Sequence, residues 1–255
     1  MKKISITVIA IIAIIIVTWI IILTARPKQI KRVRVPAKPK IAIVLDDWGY
    51  NLNDTYLLEQ IKYPVTAAVL PNDKYSTPVC EELHSKGFEI ILHLPMEPEE
   101  KNGLEKNTIM VTSGKEEILN IMDKALTSVI YAKGVSNHMG SRATSDIKTM
   151  SIVFAELKNR RLYFLDSYVI SKSICVGLAR KMNLAVLKRD VFLDDTEERG
   201  YIKKQMLILK AKAKARGFAI GIGHDRKLTL EVLKEVMPEI AKEGYKFVYL
   251  SELLK

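Results

Sequence analysis

Cysteine is scarce in this chain, with Cys80 and Cys175 as the 2 cysteines among 255 residues. They lie 95 positions apart, without a CxxC pair or zinc-finger spacing, so the sequence favours neither a disulfide framework nor a structural zinc site. We interpret them as two small buried side chains. The sequence also contains no GxSxG elbow, no phosphate-binding P-loop and no GxGxxG between a strand and a helix. Serine-nucleophile chemistry and nucleotide binding therefore lack their usual sequence marks.

Acidic residues are absent from the first 40 positions, which carry nine lysines and arginines. The remaining 215 positions hold 31 basic and 29 acidic residues, a net charge of +2. A nucleic-acid-binding domain usually carries a larger basic excess, so we expect no nucleic-acid partner. We interpret residues 26–40 as a basic linker, because three prolines disfavour regular structure there and its lysines and arginines suit lipid headgroups.

Residues 4–24 contain no charged side chain over 21 positions. A helix of that length could cross roughly 30 Å of hydrocarbon, so residues 1–25 are predicted to form a single transmembrane anchor. The alternative is a cleaved signal peptide, whose apolar part usually runs about 7–15 residues before a small-x-small site. The sequence "LTAR" offers no such site. Seven basic residues follow the span and two precede it, an asymmetry that would place the body in the cytoplasm.

Residues 41–255 alternate between short β-branched runs and longer segments with helical apolar spacing. This pattern predicts strands at 41–45, 65–70, 88–92, 134–136, 162–165, 185–187, 218–222 and 246–250. The clearest predicted helices are 116–130, 147–158 and 229–242. We therefore expect one α/β domain, a distorted or incomplete (β/α) barrel with seven or eight parallel strands. An open doubly wound sheet is the alternative.

Polar residues follow directly after several predicted strands. The residues in question are Asp46, Asp47, His93, Asn137, His138, Asp166, Arg189, Asp190 and His224. In barrels of this type, catalytic groups gather at the C-terminal ends of the strands. Three of the four histidines would then share one rim, where we expect the site.

Two adjacent acids, Asp46 and Asp47, end the first predicted strand. Successive strand side chains point to opposite faces, so at most one continues the inward row, while the turn that follows can redirect the other. Neighbouring carboxylates can divide their roles, one binding a cation and the other serving as a base. Alternatively, one of them caps the next helix.

Two histidines are candidate metal ligands. His93 comes just before a turn expected at Pro95, and a structural hydrogen-bonding role is its alternative. His138 lies in the polar segment "SNHMGSRAT" between Gly134 and Gly140, which we expect to form a loop. One carboxylate with two imidazoles is a common divalent-metal set that leaves coordination positions open for water and substrate.

Three further residues are expected to assist catalysis. His224 follows a strand whose glycines allow a ligand to approach the backbone, and it would be placed to donate a proton to a leaving group. Asp166 and Arg189 could orient or tune the catalytic groups, or they could form an ordinary ion pair across the rim. The fourth histidine, His84, lies in a helical pattern and is expected at the surface without a role.

In this order, the strings "IAIVLDDWGYN", "VTAAVLP", "GFEIILHLPMEP", "NHMGSRAT", "FLDS", "RDVFLD" and "AIGIGH" resemble the divergent polysaccharide deacetylase family. This family is a distant branch of the metal-dependent polysaccharide deacetylases, and the match spans about residues 40–252. The resemblance implies a distorted (β/α) barrel that hydrolyses an N- or O-acetyl group on a polysaccharide with a divalent metal, usually zinc.

The resemblance also implies residue roles. In the wider superfamily, the first aspartate of the pair is the general base and the second binds the metal, which corresponds to Asp46 and Asp47. The second motif normally supplies two histidines as HxxxH, whereas this chain has His93 and then Glu97. We carry over His93 and expect His138 to complete the ligand set.

The proton-donating histidine of the superfamily looks like His224. The segment "GHDRKLT" departs from the proline-containing segment that usually follows it, which leaves substrate preference open. The expected function is a metal-dependent carbohydrate deacetylase anchored outside the cytoplasmic membrane, in conflict with the charge asymmetry noted above. The alternatives are a metal- or glycan-binding accessory protein without turnover, and a metal-dependent glycosidase or phosphoesterase on the same barrel.

Overall fold

The computed structural model describes residues 5–24, 38–100 and 103–254. The chain divides into two compact units, Met1–Pro36 and Ala37–Lys255. In the first unit, the described residues form helix α1 (Ile6–Thr24). The predicted basic linker, residues 26–40, lies outside the described residues except for its last three positions.

The predicted transmembrane anchor at residues 4–24 is wrong. Within the described parts of the chain, no helix combines the length and the hydropathy that a bilayer crossing requires. The expectation of a membrane-anchored protein at the cell surface depended on this anchor and is withdrawn with it.

The second unit is an α/β structure in which strands and helices mostly alternate. Its described strands are β1 (Lys40–Trp48), β2 (Thr66–Val69), β3 (Glu89–Met96), β4 (Gly134–Met139), β5 (Tyr163–Asp166), β6 (Val186–Lys188), β7 (Val191–Phe192), β8 (Phe218–His224) and β9 (Lys246–Phe247). Its α-helices are α2 (Thr55–Leu58), α3 (Ser76–Ser85), α4 (Lys115–Ser128), α5 (Ile147–Asn159), α6 (Cys175–Met182), α7 (Arg199–Arg216) and α8 (Lys227–Lys242). Short 3₁₀ turns lie at Ala143–Ser145 and Leu250–Leu253.

These strands form one parallel sheet in the order β6-β5-β4-β3-β2-β1-β8-β7, with β9 beside β1. Strand β1 is central, since it pairs in parallel with β2, β8 and β9. Adjacent strands of this sheet are consecutive in the sequence, except that the late strand β8 returns to pair with β1. This is the strand order of a barrel, whereas the order of a doubly wound sheet reverses at its centre. Among the described residues, β6 and β7 are not paired with each other. The sheet is therefore a curled half-barrel, and the predicted parallel α/β architecture is confirmed.

The predicted elements match the structure closely, with two differences that matter for the site. Strands β3 and β4 pair from Leu92 and Val135 to Met96 and Met139, so both continue beyond the predicted ends at 92 and 136. The expected turn at Pro95 and the expected loop around His138 are therefore wrong, because this extended pairing keeps both segments in strand conformation. The two-residue strand β7 was not predicted.

Alternate strand residues face two separate apolar layers. The larger layer lies between the sheet and its helices, and Ile43, Phe154 and Leu209 are fully buried in it. The smaller layer is formed almost wholly by the opposite strand face, with Val44 and Ile222 among its members. Both cysteines are buried. Packing on both faces holds the strands in place, so the residues at the strand ends have defined positions.

A buried carboxylate connects β3 to the C-terminal turn. The Glu89 side chain is 2% exposed, and its Oε1 accepts hydrogen bonds from Thr66 Oγ1 at 3.0 Å and Tyr163 Oη at 3.2 Å. Ser251 donates to the same carboxylate through both its backbone N–H and its hydroxyl. Thr66 Oγ1 in turn accepts from the N–H of Leu250 at 3.1 Å. A buried charge satisfied on both oxygens is costly to remove, because its donors are then left without partners.

Replacing Glu89 with alanine is expected to lower the free energy of unfolding by about 3 kcal/mol, since several buried donors lose a charged acceptor. Urea unfolding monitored by circular dichroism measures the change. The matched control is Glu81→Ala, an exposed glutamate on α3, which should alter stability by no more than about 0.5 kcal/mol. Equal stability of the two variants would contradict a stabilising role for the Glu89 cluster.

Candidate functional site

A cavity of about 370 Å³ opens at the carboxyl ends of the strands. Most of the predicted site residues line it, namely Asp46, Asp47, His93, His138, Arg189 and His224. Asp166 is not part of its lining. Other residues of its wall include Asn137, Ser167, Phe192 and Asp195. The structure therefore brings together residues that are up to 178 positions apart, from Asp46 to His224.

Asp46 and Asp47 both reach the cavity because the end of β1 is irregular. The pairing of β1 with β2 shifts register between Leu45 and Trp48, and Asp47 has a φ of 68°. This left-handed conformation is uncommon outside glycine, although aspartate tolerates it better than most residues. It redirects the second carboxylate, so that two adjacent side chains face the same cavity instead of opposite faces of the sheet.

Asp47, His93 and His138 offer donor atoms that all lie within 4.8 Å of one another. Asp47 Oδ1 lies 3.1 Å from His138 Nδ1 and 3.4 Å from His93 Nε2. The two imidazole rings meet edge to face, with centroids 4.9 Å apart. Two imidazole nitrogens thus converge on one carboxylate oxygen. Burial alone would raise the pKa of Asp47, but hydrogen bonds from both histidines outweigh it and hold that pKa below its usual range.

Each histidine of this group has a distinct second environment. His93 is buried, and its Nδ1 lies 2.7 Å from the hydroxyl oxygen of Ser136. With Nδ1 hydrogen-bonded to Ser136, Nε2 is the ring nitrogen that faces the two aspartates and could bind a cation. Burial lowers the pKa of His93 to about 4 although the hydrogen bond with Asp47 opposes this shift, and the lowered pKa favours the neutral ring. The Nε2 of His138 is buried and has no hydrogen-bond partner among the described residues.

Asp46 is almost as buried as His93, with 4% of its surface exposed. Its Oδ2 is 3.5 Å from His93 Nε2, and its Oδ1 has no hydrogen-bond partner in the described part of the chain. Burial raises the pKa of Asp46 well above its usual range, and the charges of Asp47 and Asp194 add to that shift, while Arg189 opposes it. A buried oxygen without a partner requires one from water or a ligand.

His224 ends β8 and is held by a buried aspartate. Its backbone N–H donates to Asp194 Oδ2 at 2.8 Å, and its ring Nδ1 lies 3.0 Å from Asp194 Oδ1. Thr229 Oγ1 also donates to Asp194 Oδ2, at 2.7 Å. The other ring nitrogen, Nε2, lies 3.6 Å from Asp47 Oδ2. Burial alone would lower the pKa of His224, but the hydrogen bond and charge of Asp194 raise it above the ordinary value.

Arg189 and Asp166 make their hydrogen bonds to the segment after β5 rather than to each other. Arg189 Nε donates to the carbonyl of Ser167 at 2.6 Å, and its Nη2 donates to that of Tyr168 at 2.8 Å. Asp166 accepts from Tyr168 N at 2.8 Å and from Ser173 Oγ at 2.7 Å. Arg189 therefore contributes to the cavity wall, whereas Asp166 shapes the segment beneath it.

Glu97, which replaces the second histidine of the HxxxH pattern, is fully buried and is not part of the cavity lining. Its Oε2 accepts from the N–H of Val111 at 2.7 Å, and its Oε1 accepts from Arg142 Nη1 at 3.1 Å. The carboxylate therefore links the loops that contain Val111 and Arg142 to the end of β3.

Asp194 and Ser136 were given no role from the sequence. Asp194 follows β7, which was not predicted. Its place after the apolar residues of "RDVFLD", at the end of a strand, is the sequence signal that could have identified it.

The chain is similar to known proteins in both sequence and structure. The chain is 36% identical over 198 residues to the uncharacterized protein YibQ of Escherichia coli, an alignment that covers 78% of this chain and 62% of YibQ. The chain thus spans less than two thirds of that relative. A crystal structure of an uncharacterized protein from Agrobacterium tumefaciens superposes with a TM-score of 0.82 at 20% identity, covering 85% of this chain and 89% of the other.

A more distant structure is the catalytic domain of peptidoglycan N-acetylglucosamine deacetylase from Eubacterium rectale. It has a TM-score of 0.54 at 13% identity and covers 84% of this chain and 90% of the other. At these identities, both structural likenesses establish a shared fold. The model of the divergent polysaccharide deacetylase family matches residues 43–254, which is most of the chain. The chain therefore belongs to the divergent polysaccharide deacetylase family.

Proposed function

We propose that the protein is a metal-dependent hydrolase that removes acetyl groups from a polysaccharide or another glycan. The observation that carries this proposal is the convergence of Asp47, His93 and His138 within 4.8 Å, in a cavity also lined by Asp46 and His224. Membership of the divergent polysaccharide deacetylase family supports an acetylated polysaccharide as the substrate class. The hydrolase domain that we propose comprises residues 41–255.

The three residues fit a divalent cation. Ligand atoms about 2.1 Å from a tetrahedral cation stand roughly 3.4 Å apart, and Asp47 Oδ1 lies 3.1 and 3.4 Å from the nearest histidine nitrogens. One carboxylate with two neutral imidazoles suits zinc and leaves positions open. When bound, such a cation supplies the Lewis acidity that polarises an acyl carbonyl and acidifies the attacking water. Ser136 would orient His93 for this task.

Asp46 would act as the general base. Its unpartnered Oδ1 is available to a water molecule in the cavity, and its raised pKa makes the carboxylate a stronger proton acceptor. The Oδ2 atom, 3.5 Å from His93 Nε2, holds the side chain beside the proposed ligands. Asp46 and Asp47 thus occupy environments that move their pKa values in opposite directions, the usual basis for a division of roles.

His224 would act as the general acid. Asp194 holds its Nδ1, which leaves Nε2 as the nitrogen that faces the cavity and can deliver a proton to the leaving nitrogen or oxygen. Its raised pKa favours the protonated ring required for that step. Arg189 would position the Ser167 segment along the cavity wall, and Asp166 would support the same segment from behind.

A metal analysis coupled to acetate release tests the proposal. We expect the full-length protein, purified after incubation with zinc, to retain about one equivalent of metal and to release acetate from at least one member of a panel of N- and O-acetylated oligosaccharides. Removal of the metal with a chelator should abolish the release, and zinc should restore it.

Parallel assays for reducing ends and for inorganic phosphate distinguish the alternative hydrolases. Either product without acetate would contradict deacetylation. Tightly retained zinc without any of the three products would instead indicate an accessory protein that binds metal or glycan without turnover.

A further inference from the structure

The two candidate ligand histidines lie on an extension of the sheet. The backbone pairing of β2 with β3 ends at Leu92, and that of β5 with β4 ends at Ser136. Beyond these points β3 and β4 continue together and carry His93 and His138. A pair of strands is only marginally stable by itself. The distance between the two imidazoles therefore depends on the contacts that hold this extension.

A later segment of the chain takes the place of β2 beside the end of β3. Met96 forms a parallel bridge with Ile109, whose N–H donates to the carbonyl of Pro95 at 3.0 Å. The N–H of Glu97 donates to the carbonyl of Ile109 at 2.9 Å. The Glu97 side chain continues this contact, because its Oε2 accepts from the N–H of Val111 at 2.7 Å. Glu97 thus fixes the outer side of the extension.

On the other side, Glu97 holds the turn that follows His138. This turn includes Gly140, with a φ of 88°, where an added Cβ would lie 3.0 Å from the Cβ of Met96. The close approach brings the N–H of Arg142 to the carbonyl of Glu97, at 3.1 Å. The guanidinium of Arg142 also donates to Oε1 of the Glu97 carboxylate, at 3.1 Å. The ends of both strands are therefore connected through one side chain.

We propose that Glu97 is a positioning residue for the metal site, because its carboxylate holds both sides of the extension and so keeps His138 beside His93 and Asp47. This inference rests on the proposed function, which assigns those three residues to a cation. Glu97 occupies the place of the second histidine of the HxxxH pattern, yet it does not line the cavity. The position thus supports a ligand on the neighbouring strand instead of supplying one.

The two carboxylate oxygens of Glu97 serve different segments, so both are needed. The side chain is fully buried, and a hydrogen bond lost there is not replaced by one to bulk water. Glutamine has nearly the same size, but its amide group is a donor and would face either the N–H of Val111 or the guanidinium of Arg142. Glu97→Gln therefore disconnects one side of the extension without leaving a cavity.

The zinc affinity of Glu97→Gln, measured by competition with a chelator, tests this role. Outer partners of metal ligands contribute about 10–100-fold to affinity, and we expect a loss of about tenfold. The cobalt(II)-substituted protein should also show a changed absorption spectrum, which reports the arrangement of the ligands. Arg142→Ala should weaken zinc binding in the same way. Arg142→Lys keeps a cation opposite the carboxylate and should recover part of the loss.

Glu89→Gln is the matched control. Glu89 is also a buried glutamate with hydrogen bonds to both oxygens, but it begins β3, whereas Glu97 follows the end of that strand. Glu89→Gln should lower the free energy of unfolding in urea and leave the zinc affinity and the cobalt spectrum unchanged. An equal loss of zinc affinity in both variants would identify general destabilisation as the cause and overturn the positioning role.

A histidine at position 97 tests whether this position can still supply a ligand. Glu97→His combined with His138→Ala should not recover the zinc binding lost in His138→Ala, because residue 97 lies outside the cavity lining. Circular dichroism verifies that the double variant is folded. Recovery of zinc binding would show that position 97 reaches the ion, and it would overturn the supporting role.

The outcomes separate the role of Glu97 from the proposed function. Weaker zinc binding by Glu97→Gln, with a wild-type protein that releases no acetate, would support the positioning role and overturn the deacetylase function. Acetate release by the wild-type protein, with an unchanged zinc affinity and cobalt spectrum in Glu97→Gln, would overturn the positioning role alone. A wild-type protein that does not bind zinc or cobalt would overturn both.

Discussion

Replacing His138 with alanine is expected to abolish metal uptake and, with it, acetate release. The change removes one of the three proposed donors and the nearest partner of Asp47, whose Oδ1 lies 3.1 Å from His138 Nδ1. Even the outer hydrogen-bonding partners of metal ligands contribute about 10–100-fold to affinity, so loss of a ligand should weaken zinc binding by more than about 100-fold. Elemental analysis of the purified protein after dialysis against zinc measures the effect.

The chain offers a matched control in its fourth histidine. His84 lies on α3, outside the cavity, and stacks on the ring of Tyr131 with centroids 4.0 Å apart. His84→Ala also removes one imidazole, so it should retain the metal content and activity of the wild-type protein. Circular dichroism of both variants would show that neither change unfolds the domain. Full metal retention by His138→Ala would remove this residue from the ligand set.

Much of the fold could be predicted because its strands are buried on both faces. Such strands appear as continuous apolar runs, and 41–45 is an example that became the centre of β1. The ends of strands were harder to place. Polar residues at 93 and 138 resemble the start of a loop, but the pairing of β3 with β4 carries both segments further. That pairing is a long-range interaction, so it leaves no signal in either segment alone.

The position of the site could be predicted from the rule that chemistry gathers at the carboxyl ends of barrel strands. Its internal geometry could not. Both acids of the adjacent pair face the cavity because Asp47 adopts a positive φ, and alternation along a strand predicts the opposite. The contact between Asp194 and His224 depends on β7 lying beside β8, and a two-residue strand is too short to predict.

Replacing His224 with alanine is expected to lower kcat for an acetylated sugar amide by about 10²–10⁴-fold, the usual contribution of a positioned general acid. The loss should depend on the leaving group. An amine must be protonated as it departs, whereas the phenolate of an activated aryl acetate leaves without a proton. We therefore expect His224→Ala to retain most of its activity on the aryl ester, as measured by steady-state kinetics on both substrates. Because His224 Nε2 lies 3.6 Å from Asp47 Oδ2, metal content should be measured in the same preparations.

Asp194→Asn supplies the companion experiment, since asparagine keeps the size of the side chain but loses the charge that holds His224. If Asp194 acts by orienting the ring of His224, the variant should show a smaller kcat loss on the amide, little change in KM, and the same dependence on leaving group. An equal loss of kcat on both substrates, with metal retained, would mean that His224 assists the attack of water on the carbonyl and not the departure of the sugar. In that case the proton would have to come from another group in the cavity, and Asp46 is a candidate, because its raised pKa allows it to carry one.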